Sequence, residues 1–360
     1  MDRDPRIGFI GAGAAGSFVG GMLSRSGANV TLIDAWPEHI MAIKERGLRV
    51  SGTHGEFTVR PRALHVNEAH KLARDPLDIA FISAKAYDTE WTAALVKDYL
   101  RPQALVISLQ NGFNEVRIRQ ILRDRVVLGC IASTLGAEIL GAGHVTRACP
   151  PGGRDYTVFR IGEPDGGHRS HVESIVRLMN EVDTTAPTDN LYGERWSKLV
   201  ANAMVNPLAA ITGLRDRAMN ANAEVRNLSM QLAMEGVSVG KAAGYALVPV
   251  FGIPSGRWLA AVGGAGLAEI DRDMGKFSSR ATDDSRSSTP LDIELGRRTE
   301  LEFFNGLIIS KGRELGIPTP VNESTMEIAR LIEAGELAPS VSNLRMLQQH
   351  LRLRSPHPTS

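Results

Sequence analysis

Ile7–Phe18 reads IGFIGAGAAGSF, an apolar run that breaks into glycines and alanines and then resumes. Gly11, Gly13 and Gly16 carry G-x-G-x-x-G spacing. Small residues cluster in many tight turns, so the spacing gains meaning only from what flanks it. Arg6–Ile10 is strand-like, Ser17–Ser26 is helical with Gly27 as its stop, and Asn29–Asp34 (NVTLID) is a second strand. The three form a βαβ unit. In that setting Gly11 allows the tight turn, Gly13 lets the backbone approach a pyrophosphate, and Gly16 lets helix pack on strand. The helix N-terminus faces the negative charge. Gly11, Gly13, Ala14, Ala15 and Gly16 are therefore the expected dinucleotide turn.

Asp34 closes the second strand, where a carboxylate accepts hydrogen bonds from adenosine ribose hydroxyls and repels a 2′-phosphate. The cofactor is expected to be NAD or NADP, with Asp34 favouring NAD. Asp34 also suits the N-cap of a helix starting near Pro37, and the two roles are compatible.

Further apolar runs rich in Ile and Val follow at Leu77–Ser83, Ala104–Leu109, Val126–Ile131 and Tyr156–Gly162. The segments between the first three are long enough for crossover helices. Continuous apolarity suits strands buried on both faces. Gly47–Arg60 (GLRVSGTHGEFTVR) predicts a hairpin decorating this sheet. Thr184–Asn190 (TTAPTDN) reads as a linker. From Leu191 the periodicity is helical, with long segments at Ala221–Ala243, Leu291–Gly316 and Ser324–Glu333. The expected fold is an α/β Rossmann-type doubly wound parallel sheet over residues 1–187, followed by an all-α substrate and dimerisation domain over 188–353. The polar stretch Asp271–Ser288 is expected to be a mobile loop, and 354–360 a disordered tail.

The bulk numbers agree with a two-domain globular protein. The chain has 360 residues, 43% hydrophobic and 22% charged, with a net charge of +1. It lacks the positive surplus that phosphate backbones demand, so no nucleic-acid partner is expected. The charged start MDRDPR is unlike a signal peptide. The longest apolar stretches, around Gly236–Gly256 and Trp258–Ile270, are interrupted by Gly, Pro, Lys or Glu, so no membrane span is expected. A cytoplasmic location follows as the expectation. Two cysteines, Cys130 and Cys149, read as buried hydrophobes, and nine histidines show no ligand spacing, so no metal is expected.

Two more strand ends point toward the cofactor cleft. FISAK ends at Lys85, which suits a phosphate contact or a solvated loop lysine. VISLQNG ends at Gln110-Asn111-Gly112, where Asn111 suits a ligand contact or a turn. In the second half, Tyr192–Gly213 (YGERWSKLVANAMVNPLAAITG) places Lys198, Asn202 and Asn206 four residues apart on one helical stripe. Trp196, Leu199, Ala203 and Met204 form the neighbouring apolar stripe. Pro207 predicts that the helix ends or kinks there.

Together these pieces resemble the ketopantoate reductase family (2-dehydropantoate 2-reductase) over most of the chain. The matching residues are GAGAAG with its strand, AKAYDTE at Ala84–Glu90, SLQNG at Ser108–Gly112, the W-S-K-L-x-x-N-x-x-x-N-P run at Trp196–Pro207, and SSTPLDIELGRRTELEFFNG at Ser287–Gly306. Five ordered motifs across both halves make the resemblance specific. It implies NAD(P)H-dependent reduction of a 2-oxo acid to a 2-hydroxy acid, most directly of 2-dehydropantoate to pantoate. Reduction leaves an alkoxide, which needs a proton donor. The resemblance implies Lys198 for that role, and Asn202 and Asn206 as hydrogen-bonding partners of the substrate. It implies Ser288 at the substrate carboxylate and Glu300 at a substrate hydroxyl or orienting Lys198. Asn111 would bridge cofactor and substrate, Lys85 would touch the cofactor, and the protein would be a homodimer.

Two departures bear on specificity. Phe251–Ser285 is longer and richer in Gly than the family pattern, and Asp34 stands where NADP-using members place a basic or neutral residue. A D-2-hydroxyacid dehydrogenase acting on another branched or aromatic 2-oxo acid therefore remains the alternative. A non-catalytic dinucleotide-binding protein is a third reading, but it has no use for Lys198 and Glu300 together.

Overall fold

The computed structural model describes residues 4–153, 156–167, 170–278 and 288–354. The chain divides into two compact units, Met1–Leu191 and Tyr192–Ser360.

The first unit begins β1 (Arg6–Ile10), α1 (Ala14–Arg25), β2 (Asn29–Asp34), α2 (Pro37–Arg46), β3 (Leu48–Gly52), β4 (Phe57–Val59) and β5 (Arg62–His65). It continues through β6 (Leu77–Ile82), α3 (Thr89–Val96), β7 (Leu100–Ser108), α4 (Glu115–Ile121) and β8 (Val126–Ala132). The last elements are β9 (Ala137–Gly141), β10 (His144–Arg147), β11 (Phe159–Gly162), α5 (Ser170–Asn180) and β12 (Thr185–Thr188). Eight strands form the main sheet in the order β12-β11-β8-β7-β6-β1-β2-β5. From β5 to β8 every neighbouring pair is parallel, and β11 joins β8 antiparallel. The chain moves outward in one direction through β2 and in the other through β6, so β1 lies at the reversal of strand order where ligands bind in such sheets. Two apolar clusters cover the faces, one around Phe9, Phe18 and Phe81 and the other around Ile10, Ile82 and Val106.

The segment expected to decorate this sheet does something else. β3 and β4 pair antiparallel as predicted, but they belong to a separate four-stranded sheet in the order β4-β3-β10-β9. This small sheet covers the outer side of α1. The helix is buried on all sides from Gly16 to Leu23, the pattern of a helix enclosed by apolar neighbours. A Cβ on Gly20 would stand 2.6 Å from Leu32 of the main sheet, and one on Gly21 3.0 Å from Val50 of the small sheet. A fully buried Arg147, at the end of β10, pairs with Asp183 at 2.6 Å and fastens the small sheet to the segment that enters β12.

The expected linker is also structured. Thr185–Thr188 is β12, an edge strand parallel to β11. Pro187 fits there because an edge strand leaves one side without a ladder partner. Of the two cysteines, Cys130 is fully buried, whereas Cys149 is only partly so.

The second unit is helical among the described residues: α6 (Leu191–Thr212), α7 (Asp216–Ala221), α8 (Ala223–Ala242), α9 (Ser255–Val262), α10 (Leu267–Ser278), α11 (Ser288–Glu294), α12 (Asn305–Leu315), α13 (Pro320–Glu333) and α14 (Asn343–Arg354). Three expectations need correction. Leu291–Gly316 is not one helix: Gly296 at φ +61° ends the first part, and α12 starts only at Asn305. Asp271–Ser278 is the end of α10 rather than loop, because Asp271 and Asp273 pair with Arg226 and Arg257. The remainder of that stretch, 279–287, and the tail 355–360 lie outside the described residues.

The third concerns the expectation of an end or a kink at Pro207: α6 does not end there. The helix continues to Thr212, with Leu208–Ile211 buried. Proline has no N–H for the carbonyl four residues back, here Ala203. Asn305 supplies the donor, Nδ2 reaching the Ala203 oxygen at 2.9 Å. The Ser229 hydroxyl donates to the next carbonyl, Met204, also at 2.9 Å.

Candidate active site

In the first unit, the predicted cofactor residues gather at the carboxyl ends of β1, β2, β6 and β7. Gly11 has φ +103°, and a Cβ there would lie 2.3 Å from the Ala84 nitrogen. Its N–H donates to Ile33 O at 2.8 Å, and the Ser83 hydroxyl donates to its carbonyl at 2.7 Å. The turn is thus held between β2 and β6. Gly16 packs so tightly on Gly11 that no side chain fits between them. Gly13 differs, because a Cβ there would meet nothing within 4 Å. α1 has no side-chain cap, so an open approach at Gly13 leads to backbone N–H groups left for a ligand. That is the opening a dinucleotide pyrophosphate requires, and these residues fit such a cofactor.

A support that sequence reasoning missed lies behind this turn. The Ser17 hydroxyl donates to Ala12 O at 2.6 Å and stands 3.1 Å from His39 Nε2. The Gly143 N–H donates to His39 Nδ1 at 3.0 Å, so Nε2 carries the ring proton toward Ser17. Burial lowers the pKa of His39, which keeps the ring neutral and this arrangement fixed. No local pattern could have paired His39 with Gly143, more than a hundred residues away.

Asp34 is half-buried at the end of β2, and its Oδ1 accepts the Trp36 N–H at 2.9 Å. It does not cap α2: Trp36 occupies the N-cap and Pro37 the first turn. Lys85 and Asn111 are also half-buried. Gln110, whose own role the sequence left blank, donates to Ala84 O at 2.9 Å and to Thr89 Oγ1 at 3.0 Å. It thereby fixes the turn bearing Lys85. Asn114 Nδ2 donates to Asn111 O at 2.7 Å, and Gly112 takes φ +82°.

In the second unit, Lys198, Asn202 and Asn206 follow one face of α6, with Lys198 and Asn202 half-buried and Asn206 buried. The opposite side is anchored: Trp196 Nε1 donates to Gly236 O at 2.8 Å, and Ser197 donates to Val248 O at 2.9 Å. Glu300 is 5% exposed and immediately precedes a 3-10 turn, Leu301–Phe303, that leads into α12. Its neighbour Thr299 is gripped by Glu333, which accepts the Thr299 N–H at 2.8 Å and the Thr299 hydroxyl at 3.0 Å. Asn305, at the start of α12, ties this segment to α6. Ser288 begins α11, but its side chain lies outside the described residues. An open cavity of about 630 Å³ lies between Arg297 and Pro339, and none of the predicted site residues lines it.

Residues 7–159 match the family model for ketopantoate reductase PanE/ApbA, and residues 190–333 match the one for ketopantoate reductase PanE/ApbA C terminal. The chain belongs to the ketopantoate reductase family. The 2-dehydropantoate 2-reductase of Archaeoglobus fulgidus is 32% identical over 336 residues, which cover 92% of this chain and 99% of that protein. The crystal structure of a PanE/ApbA family ketopantoate reductase from Ralstonia eutropha matches with a TM-score of 0.74 at 29% identity, covering 92% of this chain and 99% of the other. D-mandelate dehydrogenase, solved with NADH and anilino(oxo)acetate, shares the fold with a TM-score of 0.76 at 21% identity, over 92% of this chain and 98% of that one. As a member of the ketopantoate reductase family the chain is an NAD(P)-dependent oxidoreductase. Among the described residues, no helix is long and apolar enough to cross a membrane.

Proposed function

We propose that this protein reduces a 2-oxo acid to the 2-hydroxy acid, with 2-dehydropantoate as substrate and pantoate as product. The observation that carries the reading is the row Lys198, Asn202 and Asn206 on an anchored helix, in a chain whose other half has the open glycine turn at Gly13.

The backbone of Gly11–Gly16 would hold the pyrophosphate, Asp34 the adenosine ribose, and Lys85 and Asn111 the nearer parts of the cofactor. When bound, the reduced nicotinamide supplies a hydride to the 2-oxo carbon. The residues of the second unit do the rest. Asn202 and Asn206 hydrogen-bond the substrate and fix its carbonyl relative to Lys198. The Lys198 ammonium donates its proton to the carbonyl oxygen as negative charge develops there. Glu300 accepts from a substrate hydroxyl or orients the Lys198 amine, and Ser288 helps hold the carboxylate. The reading includes a homodimer.

Asp34 favours a second reading, in which the enzyme is an NADH-dependent D-2-hydroxyacid dehydrogenase for another branched or aromatic acid. Following NADH and NADPH consumption against a panel of 2-oxo acids decides between them. Turnover of 2-dehydropantoate well above the others is the expected result. Activity on phenylglyoxylate or 2-oxoisovalerate without 2-dehydropantoate would favour the second reading.

A further inference from the structure

Pro207 stands beside Asn206, one of the proposed substrate contacts, in a helix that continues past it. A proline within a helix removes one hydrogen bond and pushes the preceding turn aside. The two carbonyls at this break, Ala203 and Met204, each receive a side-chain donor from another helix: Asn305 of α12 and Ser229 of α8. Both donors are buried, Asn305 completely.

Asn305 is itself held in place. Its Nδ2 also donates to Asn322 Oδ1 at 2.9 Å, and Asn322 Nδ2 donates to Glu235 Oε2 at 2.7 Å. Three helices, α8, α12 and α13, thus converge on the break in α6. The arrangement is costly. Asn305 Oδ1 is buried with no hydrogen-bond partner among the described residues, and a buried acceptor left unpaired lowers stability. For helix stability alone, an ordinary residue at 207 would serve better, since its own N–H would pair with the Ala203 carbonyl. Local conflicts of this kind are expected where geometry serves a site.

We propose that Asn305 and Ser229 are positioning residues for substrate binding. By bonding the Ala203 carbonyl that Pro207 leaves without its helical N–H and the adjoining Met204 carbonyl, they hold the two turns of α6 in register and keep Asn202 and Asn206 aligned with Lys198. The inference rests on the reading of that row as the substrate-binding face. It also gives a use to the Asn of the FFNG run, which the reaction leaves without one.

The test is steady-state kinetics of the full chain with a 2-oxo acid at saturating reduced cofactor. Asn305→Leu should raise KM for the acid about tenfold, the equivalent of one buried hydrogen bond, with KM for the cofactor unchanged. Adding Pro207→Ala restores a main-chain N–H for Ala203 O, and the double variant should return to within about threefold of wild type. An unchanged KM in folded Asn305→Leu, or no recovery on adding Pro207→Ala, would overturn the proposal. If Asn305→Leu does not fold, Ser229→Ala takes its place. It should raise the same KM about threefold, and an unchanged value would refute the inference. Turnover that survives Lys198→Ala would instead count against the proposed reaction, a result distinct from failure of the rescue pair.

Discussion

A Cβ on Gly16 would stand 2.1 Å from the carbonyl oxygen of Gly11, so the start of α1 and the end of β1 meet backbone to backbone. Three residues before Gly16, Gly13 has open space and an extended backbone that alanine can adopt. The two glycines should therefore fail in different ways. Gly16→Ala should destabilise the fold by about 1–3 kcal/mol or more. Gly13→Ala should leave stability unchanged or slightly higher, while raising the dissociation constant for the cofactor about tenfold. Thermal melts and cofactor titrations of the two variants check the contrast.

Lys198→Ala should lower the single-turnover rate by about 10²–10⁴-fold, the usual contribution of a positioned proton donor. Cofactor affinity, measured by fluorescence titration, should stay within about twofold, because the residues assigned to the cofactor lie in the first unit.

Replacing Asp34 by Ser removes the charge that opposes a 2′-phosphate. The ratio of kcat/KM for NADPH to that for NADH should rise about tenfold, the scale of a partly screened charge–charge contact. An unchanged ratio would mean that Asp34 serves the Trp36 turn and not the ribose.

Glu235 accepts the N–H groups of Val321 and Asn322 at the start of α13. Burial nevertheless pushes its carboxyl up to about 7 from 4.5, against the pull of those bonds and of the Asn322 side chain; nearby Glu323 adds to the rise. A raised carboxyl pKa means that the folded state holds its proton more tightly than the unfolded chain. Its contribution to stability is full below about 4.5, declines as pH rises, and is gone above about 7. The amplitude is about 3 kcal/mol. Denaturant melts across this range should show a steeper decline for wild type than for Glu235→Gln.

The parts of the fold legible in the sequence are those whose cause is local. β1, α1 and β2 follow from a continuous apolar run, a glycine turn and a second apolar run. The Lys198–Asn202–Asn206 stripe follows from helical spacing. What stayed hidden depends on distant partners. The passage of α6 through Pro207 is supported by Asn305, 102 residues from the Ala203 carbonyl that it bonds, and no periodicity around Tyr192–Gly213 contains that fact. Pro187 looks like a linker residue until β11 gives it an edge to pair with. The charges of Asp271 and Asp273 resemble loop composition until Arg226 and Arg257 are placed opposite them. At the site, Gln110 and His39 escaped notice because each acts on the backbone of a turn proposed to hold the cofactor.

The small sheet over α1 has a consequence for how the protein can be made and divided. β9 and β10 are synthesised more than a hundred residues after the helix they cover, so the emerging chain carries α1 with its outer side only partly covered, by β3 and β4, until Arg147 has appeared. Pairing over such a sequence distance is slow to form. The βαβ segment up to β6 is accordingly not a portable nucleotide-binding cassette. A fragment cut before Arg147 would present the part of α1 that β9 and β10 cover to water, and a fusion built on this unit has to retain the chain through β10.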